Sequence, residues 1–217
     1  MKKAIVLLSG GIDSAVTLYI AKKKGFRPLA LIFDYSQRHK KEIAFAKRVA
    51  DKAKCPYKVI KIDFPRRGSS LLDNKERIPA NRPFGKKGIP STYVPARNLI
   101  FLSIAASSAE IRGAGAIFIG VHTEDYSGYP DCRKAFLDQF KKTINVGTKK
   151  GKNIKIFAPL INKNKKEIIK IGLRLKVPIE LTWSCYRGGK KPCGSCDSCR
   201  YRARGFRVLG IKDPGLR

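Results

Sequence analysis

Residues 4–14 read AIVLLSGGIDS, an unbroken apolar run that meets a short turn with two adjacent glycines. The run over residues 4–8 predicts a β-strand buried on both faces of a parallel sheet. Residues 14–24 follow with helical spacing and end at Gly25, which predicts a helix with a glycine stop. A strand, a glycine turn and a helix in this order indicate the first unit of an α/β fold.

The same alternation continues along the chain. Further buried strands are predicted at residues 29–33, 59–62, 116–121 and 154–158, and further helices at residues 42–54, 98–111, 133–145 and 165–175. This order predicts a doubly wound, mainly parallel, Rossmann-like sheet with right-handed crossovers. Residues 64–93 interrupt it with prolines and glycines, which predicts a functional loop or a lid.

Composition limits the class of protein. The chain has 217 residues, of which 43% are hydrophobic, enough for a core. This length predicts one α/β domain over residues 1–182 and a small C-terminal appendage over residues 183–217. No apolar run reaches the roughly 20 residues of a membrane span, and none suits a secretion signal, so a cytoplasmic location is expected.

The formal net charge is +31. One interpretation is an anionic partner, such as nucleic acid, a nucleotide or a phosphate-bearing substrate. The other is a lysine-rich solvated surface of a heat-adapted protein. The single methionine fits the low content of thermolabile residues in such proteins. Charge alone does not separate the two.

The turn at residues 9–14 has the chemistry of an anion cradle. Adjacent glycines leave backbone N–H groups uncovered, and Ser9, Ser14 and the helix N-terminus add donors. It is not a Walker A loop, because Asp13 stands where lysine should precede Ser14. The simplest alternative is a tight turn with a helix cap.

Four of the six cysteines lie close together near the C-terminus, while Cys55 and Cys132 stand alone. Such clustering in an intracellular chain favours a metal site over disulfides. Structural tetrahedral zinc is the first expectation and an iron–sulfur cluster the second. The expected ligands are Cys185, Cys193, Cys196 and Cys199.

The pattern Ser-Gly-Gly-x-Asp-Ser after a first strand resembles the signature of the PP-loop ATP pyrophosphatases. The resemblance implies that the loop holds the pyrophosphate part of ATP while a substrate oxygen attacks the α-phosphorus. Asp13 would then help to position Mg²⁺ or the nucleophile. The implied ATP-binding residues are Leu8, Ser9, Gly10, Gly11, Ile12, Asp13, Ser14, Ala15, Val16, Thr17 and Leu18.

Five further motifs resemble the 7-cyano-7-deazaguanine synthase family, at residues 35–39, 93–98, 128–133, 182–186 and in the final cysteines. The family usually has glycine where Ser36 and Ala96 stand, a small-for-small change that is expected to matter little. The resemblance implies a carbon–nitrogen ligase that turns 7-carboxy-7-deazaguanine and ammonia into a nitrile with ATP and Mg²⁺. The product is a precursor of queuosine and archaeosine in tRNA; direct tRNA binding is not expected, and a homodimer is compatible.

The motifs suggest roles for single residues. The negative charge of pyrophosphate or of the adenylate would be neutralised by three basic residues, Arg38, Arg97 and Lys165. His39 could act on ammonia or on the carboxylate. The substrate would be bound by Tyr126, Tyr129 and Asp131, through ring stacking and a carboxylate at the guanine-like edge. Cys132 is either a covalent nucleophile or an inert buried thiol.

Two other functions fit parts of the sequence. A PP-loop tRNA-modifying enzyme, such as a thiolase that acts directly on RNA, would explain the charge. A zinc-stabilised nucleic-acid-binding protein would explain the cysteines and the basic tail but not the loop at residues 9–14.

Overall fold

The computed structural model describes residues 2–86, 88–125 and 128–216. Within them, five parallel strands form one sheet in the order β3-β2-β1-β4-β5. The strands are β1 (Lys2–Leu7), β2 (Phe26–Asp34), β3 (Tyr57–Lys61), β4 (Ala116–Phe118) and β5 (Lys155–Phe157). In this register Val6 lies beside Ala30 on one side and Phe118 on the other. The predicted parallel α/β sheet is confirmed.

Helices cover both faces of the sheet. They are α1 (Ile12–Lys23), α2 (Lys41–Lys52), α3 (Arg97–Arg112), α4 (Lys134–Gly147), α5 (Lys165–Arg174) and α6 (Asp197–Val208). Ile5 and Leu7 join a core with α3 and α4, whereas Ala4 and Val6 join a second core with the other four helices. The alternation of β1 side chains between two apolar cores is why that strand is an unbroken apolar run.

Strand order reverses at β1. Its neighbours are β2 on one side and β4 on the other, and α1 and α3 lie on opposite faces. Helices leaving the sheet in opposite directions open a crevice at the carboxyl ends of β1 and β4, where such folds bind ligands. The doubly wound topology therefore places the turn at residues 9–14 at this crevice.

Helix α6 was not expected from the sequence. Its buried positions are Cys199, Arg202, Gly205 and Phe206. The spacing is helical, but Phe206 is the one large apolar side chain among them. The Arg202 guanidinium is neutralised by Asp213, with Nε and Nη2 donating to the carboxylate at 2.5 and 2.8 Å. A buried arginine and a cysteine thus occupy positions where aliphatic residues would have signalled a helix.

The irregular segments are packed on this body. Leu71, Leu72 and Ile78 of the loop at residues 64–93 are buried in the first core, so this part of the chain is not an open lid. The C-terminal segment contributes Trp183 to one core and Phe206 to the other. It therefore packs on the α/β domain, while a boundary at residue 182 stays a prediction. None of the described helices combines the length and apolarity needed to cross a bilayer.

Candidate active site

A cavity of about 220 Å³ lies at the crevice. Its walls come from the ends of β1, β2 and β4, the N-termini of α1 and α3, and the segment after residue 182. A second cavity of about 90 Å³ adjoins it, and the two share Asp13, Tyr129, Tyr186 and Ser198. The larger of these two cavities is lined mainly by apolar and aromatic residues, and the smaller is lined mainly by polar residues.

The turn at residues 9–14 is shaped by its first glycine. Gly10 has φ +84°, and a Cβ there would lie 2.3 Å from the backbone oxygen of Glu42, so no other residue fits. Ser14 Oγ lies 3.1 Å from both the backbone nitrogen and the hydroxyl of Ser9. Gly11 is the N-cap of α1, and no side chain caps that helix. The start of α1 thus faces the cavity with a bare backbone.

Ten of the eleven expected ATP-binding residues divide into two groups, and the eleventh, Gly10, is buried and shapes the turn. Those that line the cavity are Leu8, Ser9, Gly11, Asp13 and Ser14. The remaining helical positions are buried in the core, namely Ile12, Ala15, Val16, Thr17 and Leu18. These five line neither cavity, and their burial packs α1 against the sheet.

Asp13 forms a charged cluster with Lys165 and His122. Lys165 Nζ donates to Asp13 Oδ1 at 2.7 Å, and His122 Nε2 lies 3.5 Å from Oδ2. Burial raises the pKa of Asp13, but the charges of Lys165 and His122 outweigh it and hold the pKa well below its usual range. Each carboxylate oxygen has one partner in this cluster, and the role of Asp13 toward Mg²⁺ or the nucleophile stays a prediction.

Arg97 and Glu42 flank one phenol. Arg97 Nη1 donates to the Tyr35 hydroxyl at 3.3 Å, and Tyr35 and Gln37 both form hydrogen bonds to the Glu42 carboxylate. Burial raises the pKa of Glu42 from 4.5 to about 7, although Arg97 and these hydrogen bonds oppose the rise. All four side chains line the larger cavity.

Arg38 and His39 are neighbours in sequence with different surroundings. Arg38 is exposed, and its guanidinium donates to the backbone oxygens of Ser70 and Glu76, at 3.1 and 2.7 Å. Arg38 therefore holds the loop at residues 64–93, and it is not among the cavity-lining residues. His39 lines the cavity; burial lowers its pKa, and its Nδ1 has no hydrogen-bond partner among the described residues.

Only some of the residues expected to bind substrate line the cavity. Tyr129 and Cys132 line the cavity, and the Tyr129 hydroxyl lies 2.8 Å from Thr92 Oγ1. Cys132 Sγ accepts from Asn98 Nδ2 at 3.2 Å. Asp131 is buried and accepts from the backbone N–H of Asn98 at 2.9 Å, so it fixes the first turn of α3 and is not among the cavity-lining residues. Tyr126 lies outside the described residues.

The backbone conformation at Ser36 and Ala96 makes a side chain there more costly than expected. Their φ angles are +62° and +55°, the left-handed region in which glycine is unstrained. The glycine that the family has at both positions thus matches the backbone that the structure shows. The expectation that the substitutions matter little is wrong for backbone strain, because a Cβ at each site carries a local cost.

The cysteine cluster comes together as expected. The four Sγ atoms, of Cys185, Cys193, Cys196 and Cys199, all lie within 4.8 Å of one another. Two backbone N–H groups point at Cys185 Sγ and one at Cys193 Sγ, each at 3.4 Å, an arrangement that favours thiolates. Tetrahedral zinc with Zn–S bonds of about 2.3 Å would hold sulfurs roughly 3.8 Å apart. The donor set and spacing fit a single metal ion.

Sequence reasoning missed Glu42, Gln37 and His122 as site residues. His122 follows the predicted strand that contains β4, and polar residues after parallel strands face the crevice, which could have identified it. Gln37 lies inside a motif that the resemblance had singled out. Glu42 had been read only as the start of a helix.

Comparison with known proteins assigns the family. Residues 3–210 match the family model described as "Queuosine biosynthesis protein QueC". A "7-cyano-7-deazaguanine synthase" from Clostridium kluyveri is 52% identical over 99% of this chain and 97% of the relative. One from Picrophilus torridus is 48% identical over 98% of this chain and 90% of the relative.

Solved structures agree on the fold at low identity. The NMN synthetase of Francisella tularensis superimposes with a TM-score of 0.52 at 16% identity, covering 97% of this chain and 78% of that one. At this identity the likeness speaks for the fold alone. The family model and the relatives, which span nearly the whole chain, decide the assignment: the chain is an enzyme that belongs to the QueC family.

Proposed function

We propose that this enzyme is an ATP-dependent ligase that converts 7-carboxy-7-deazaguanine and ammonia into 7-cyano-7-deazaguanine, in the biosynthesis of queuosine or archaeosine. The observation that carries the proposal is the uncapped start of α1 between two adjoining cavities, the smaller lined by Lys165 and the larger by Arg97. These groups suit a triphosphate and a carboxylate in one site. The relatives named for this product support the same reaction.

The chemistry requires two activations. A resonance-stabilised carboxylate is a poor electrophile, so one of its oxygens attacks the α-phosphorus of ATP and releases pyrophosphate. Ammonia then adds to the acyl carbon and AMP leaves, which gives the amide. The amide oxygen attacks the α-phosphorus of a second ATP and releases a second pyrophosphate, and loss of AMP and a proton from this adenylate forms the nitrile. In each activation, an oxygen that is a poor leaving group on its own becomes part of AMP, which is a good leaving group.

The chain's own residues supply binding and charge. The turn at residues 9–14 binds pyrophosphate through backbone N–H groups and serine hydroxyls, which stabilise the charge that develops on the leaving group. Asp13 holds the Lys165 ammonium beside the turn. Arg97 faces the carboxylate, and His39 is the candidate acceptor for a proton of the incoming ammonia. Mg²⁺ enters with ATP and neutralises its phosphates.

The cysteine cluster is proposed to hold one structural Zn²⁺. Four thiolates close the coordination sphere, so the metal takes no part in the reaction. It ties the segment that starts at Trp183 to α6. Trp183 in turn donates its backbone N–H to the oxygen of Gly10 at 2.9 Å. The metal therefore supports one wall of the cavity.

The test is mass spectrometry of the products after incubation with ATP, Mg²⁺, ammonium and 7-carboxy-7-deazaguanine, without tRNA. The proposal expects the nitrile, with the amide as a transient species and pyrophosphate in parallel. Pyrophosphate release that depends on tRNA, with no nitrile, would overturn it in favour of an enzyme that modifies RNA directly. The matched control replaces the carboxylate with 7-deazaguanine, which cannot be activated.

A further inference from the structure

Glu42 is a carboxylate on the cavity wall that the proposed reaction leaves without a task. It lies in the first turn of α2 and is half-buried. Its Oε1 accepts from Gln37 Nε2 at 3.0 Å, and the Tyr35 hydroxyl also binds it. Within the described part of the chain, Glu42 takes part in no ion pair.

Gln37 fixes the direction of this carboxylate. The backbone N–H of Tyr35 donates to Gln37 Oε1 at 2.8 Å, so the amide oxygen is assigned and Nε2 must point the other way. Nε2 then donates to Glu42 and to the backbone oxygen of Phe33. A buried amide with every group engaged holds Glu42 in one orientation.

In the part of the chain that the structure describes, the larger cavity is lined by two acids, Asp13 and Glu42, and only Asp13 is held by charged neighbours. Asp13 is engaged by Lys165 and His122. Asp131, the sequence-predicted partner of the guanine-like edge, binds the first turn of α3. Glu42 accepts from the neutral donors Gln37 and Tyr35 and has no salt-bridge partner among the described residues, so it is the acid of this cavity left to pair with the N–H groups of a ligand.

The surroundings of Glu42 suit a flat heterocycle. Phe33, Tyr35, Phe101 and Trp183 line the same cavity. Arg97 lies across the Tyr35 hydroxyl from Glu42, so an acid and a guanidinium flank one phenol. A matching ligand is planar, with N–H donors on one edge and an anionic group on another.

We propose that Glu42 is a specificity-determining residue that accepts the two adjacent N–H groups of the guanine-like edge of the substrate. The inference rests on the proposed function, whose substrate carries that edge and a carboxylate. An ionised carboxylate accepts two hydrogen bonds, which matches two adjacent donors. The adenine edge offers one donor and one acceptor, so the same carboxylate is mismatched to ATP.

The test compares Glu42→Gln with the exposed control Glu180→Gln. We expect the KM for 7-carboxy-7-deazaguanine to rise about 100-fold in Glu42→Gln, because the amide turns one acceptor into a donor facing a donor. The KM for ATP and all constants of Glu180→Gln should stay within twofold. A rise in the KM for ATP alone, or a loss of kcat with the substrate KM unchanged, would overturn the proposal.

A second measurement needs no variant and holds even if Glu42→Gln fails to fold. The substrate analogue that lacks the exocyclic amino group removes one of the two donors. Wild-type kcat/KM should fall at least 30-fold with this analogue, because the half-buried Glu42 carboxylate loses one of its two partners. Equal kcat/KM for both compounds would refute the role of Glu42. Absence of turnover with the full substrate would refute the proposed function instead.

Discussion

The turn at residues 9–14 and the cysteine cluster are two binding regions built by opposite means. The turn is made of backbone and short hydroxyls, and its shape is imposed by the sheet, by α1 and by the close approach of α2 at Gly10. The cluster is made of four side chains in a segment whose first half has no helix or strand. The fold shapes the first region, whereas the second would be shaped by the metal proposed to bind there.

The two regions are nevertheless mechanically joined. Trp183 donates its backbone N–H to Gly10, and its indole Nε1 donates to the backbone oxygen of Cys185 at 2.9 Å. Trp183 thus bridges the turn and the first cysteine of the cluster. Loss of the metal should therefore loosen the wall of the cavity, while damage to the turn should leave metal binding intact.

The largest effect should come from breaking the cluster. Cys196→Ser removes a fully buried ligand, and structural zinc in small motifs contributes about 10 kcal/mol in apparent terms. We expect bound metal to be lost and Tm to fall by more than about 10 °C, as measured by elemental analysis and calorimetry. The control Cys55→Ala should keep one metal per chain. Full metal content in Cys196→Ser would contradict the ligand assignment.

The next comparison separates the two glycines of the turn. Gly10→Ala meets backbone at 2.3 Å with a positive φ, so it should destabilise the fold by several kcal/mol, about 3 or more. A Cβ at Gly11 would come no closer than 3.6 Å to its neighbours, so Gly11→Val should fold with metal bound.

Gly11→Val should still lack pyrophosphate release, because the side chain occupies the space where phosphate must approach the N–H groups. Circular dichroism and metal content measure whether both variants fold, and a pyrophosphate assay measures their turnover. Wild-type turnover in a folded Gly11→Val protein would refute phosphate binding by the turn.

A third prediction concerns the pH dependence of stability. Burial raises the folded-state pKa of Glu42 from 4.5 to about 7, despite Arg97 and the hydrogen bonds from Gln37 and Tyr35. The folded protein then binds this proton more tightly, so stability falls as the pH rises from about 4.5 to about 7 and stays lower above that range.

Glu42→Gln removes this penalty, which is worth up to about 3 kcal/mol. Its Tm at pH 8 should exceed that of the wild type by about 5 °C, and the difference should shrink at pH 5. Calorimetry at the two pH values measures this, with Glu180→Gln as the control. A variant less stable than the wild type at pH 8 would show that Glu42 stabilises the fold in its charged form.

The smallest effect tests backbone strain at the rim of the cavity. Ala96→Gly relieves a left-handed alanine and should raise stability by up to about 1 kcal/mol. The matched control Ala105→Gly, in the middle of α3, should lower stability by about the same amount or more. Chemical denaturation measures both. Equal destabilisation by the two variants would mean that Ala96 is not strained.

The sequence could predict what depends on local pattern. Apolar runs and helical spacing predicted the strands, the first five helices and the doubly wound order, and the close spacing of three cysteines predicted the cluster. Helix α6 escaped because its buried face carries Cys199 and Arg202, and the charge of Arg202 is neutralised by Asp213. That pairing depends on tertiary contact, which no local pattern reports.

The site itself was harder to predict for the same reason. Arg38 and Asp131 have suitable chemistry, but tertiary contacts direct them to loop carbonyls and to the start of α3. Glu42 lies at the start of a helix, where acids are common on exposed surfaces, and only the approach of Tyr35 and Gln37 brings it into the site. Which side chains face a cavity is thus decided by packing between distant segments.

The central claim is that substrate oxygen is activated by transfer to the α-phosphorus of ATP. The most direct test is to supply 7-carboxy-7-deazaguanine labelled with ¹⁸O in its carboxylate and to analyse the AMP by mass spectrometry. Adenylation of both oxygens predicts that each nitrile is accompanied by two AMP molecules, each with one ¹⁸O from the substrate. Unlabelled AMP, or label found in inorganic phosphate, would contradict adenylation of the substrate.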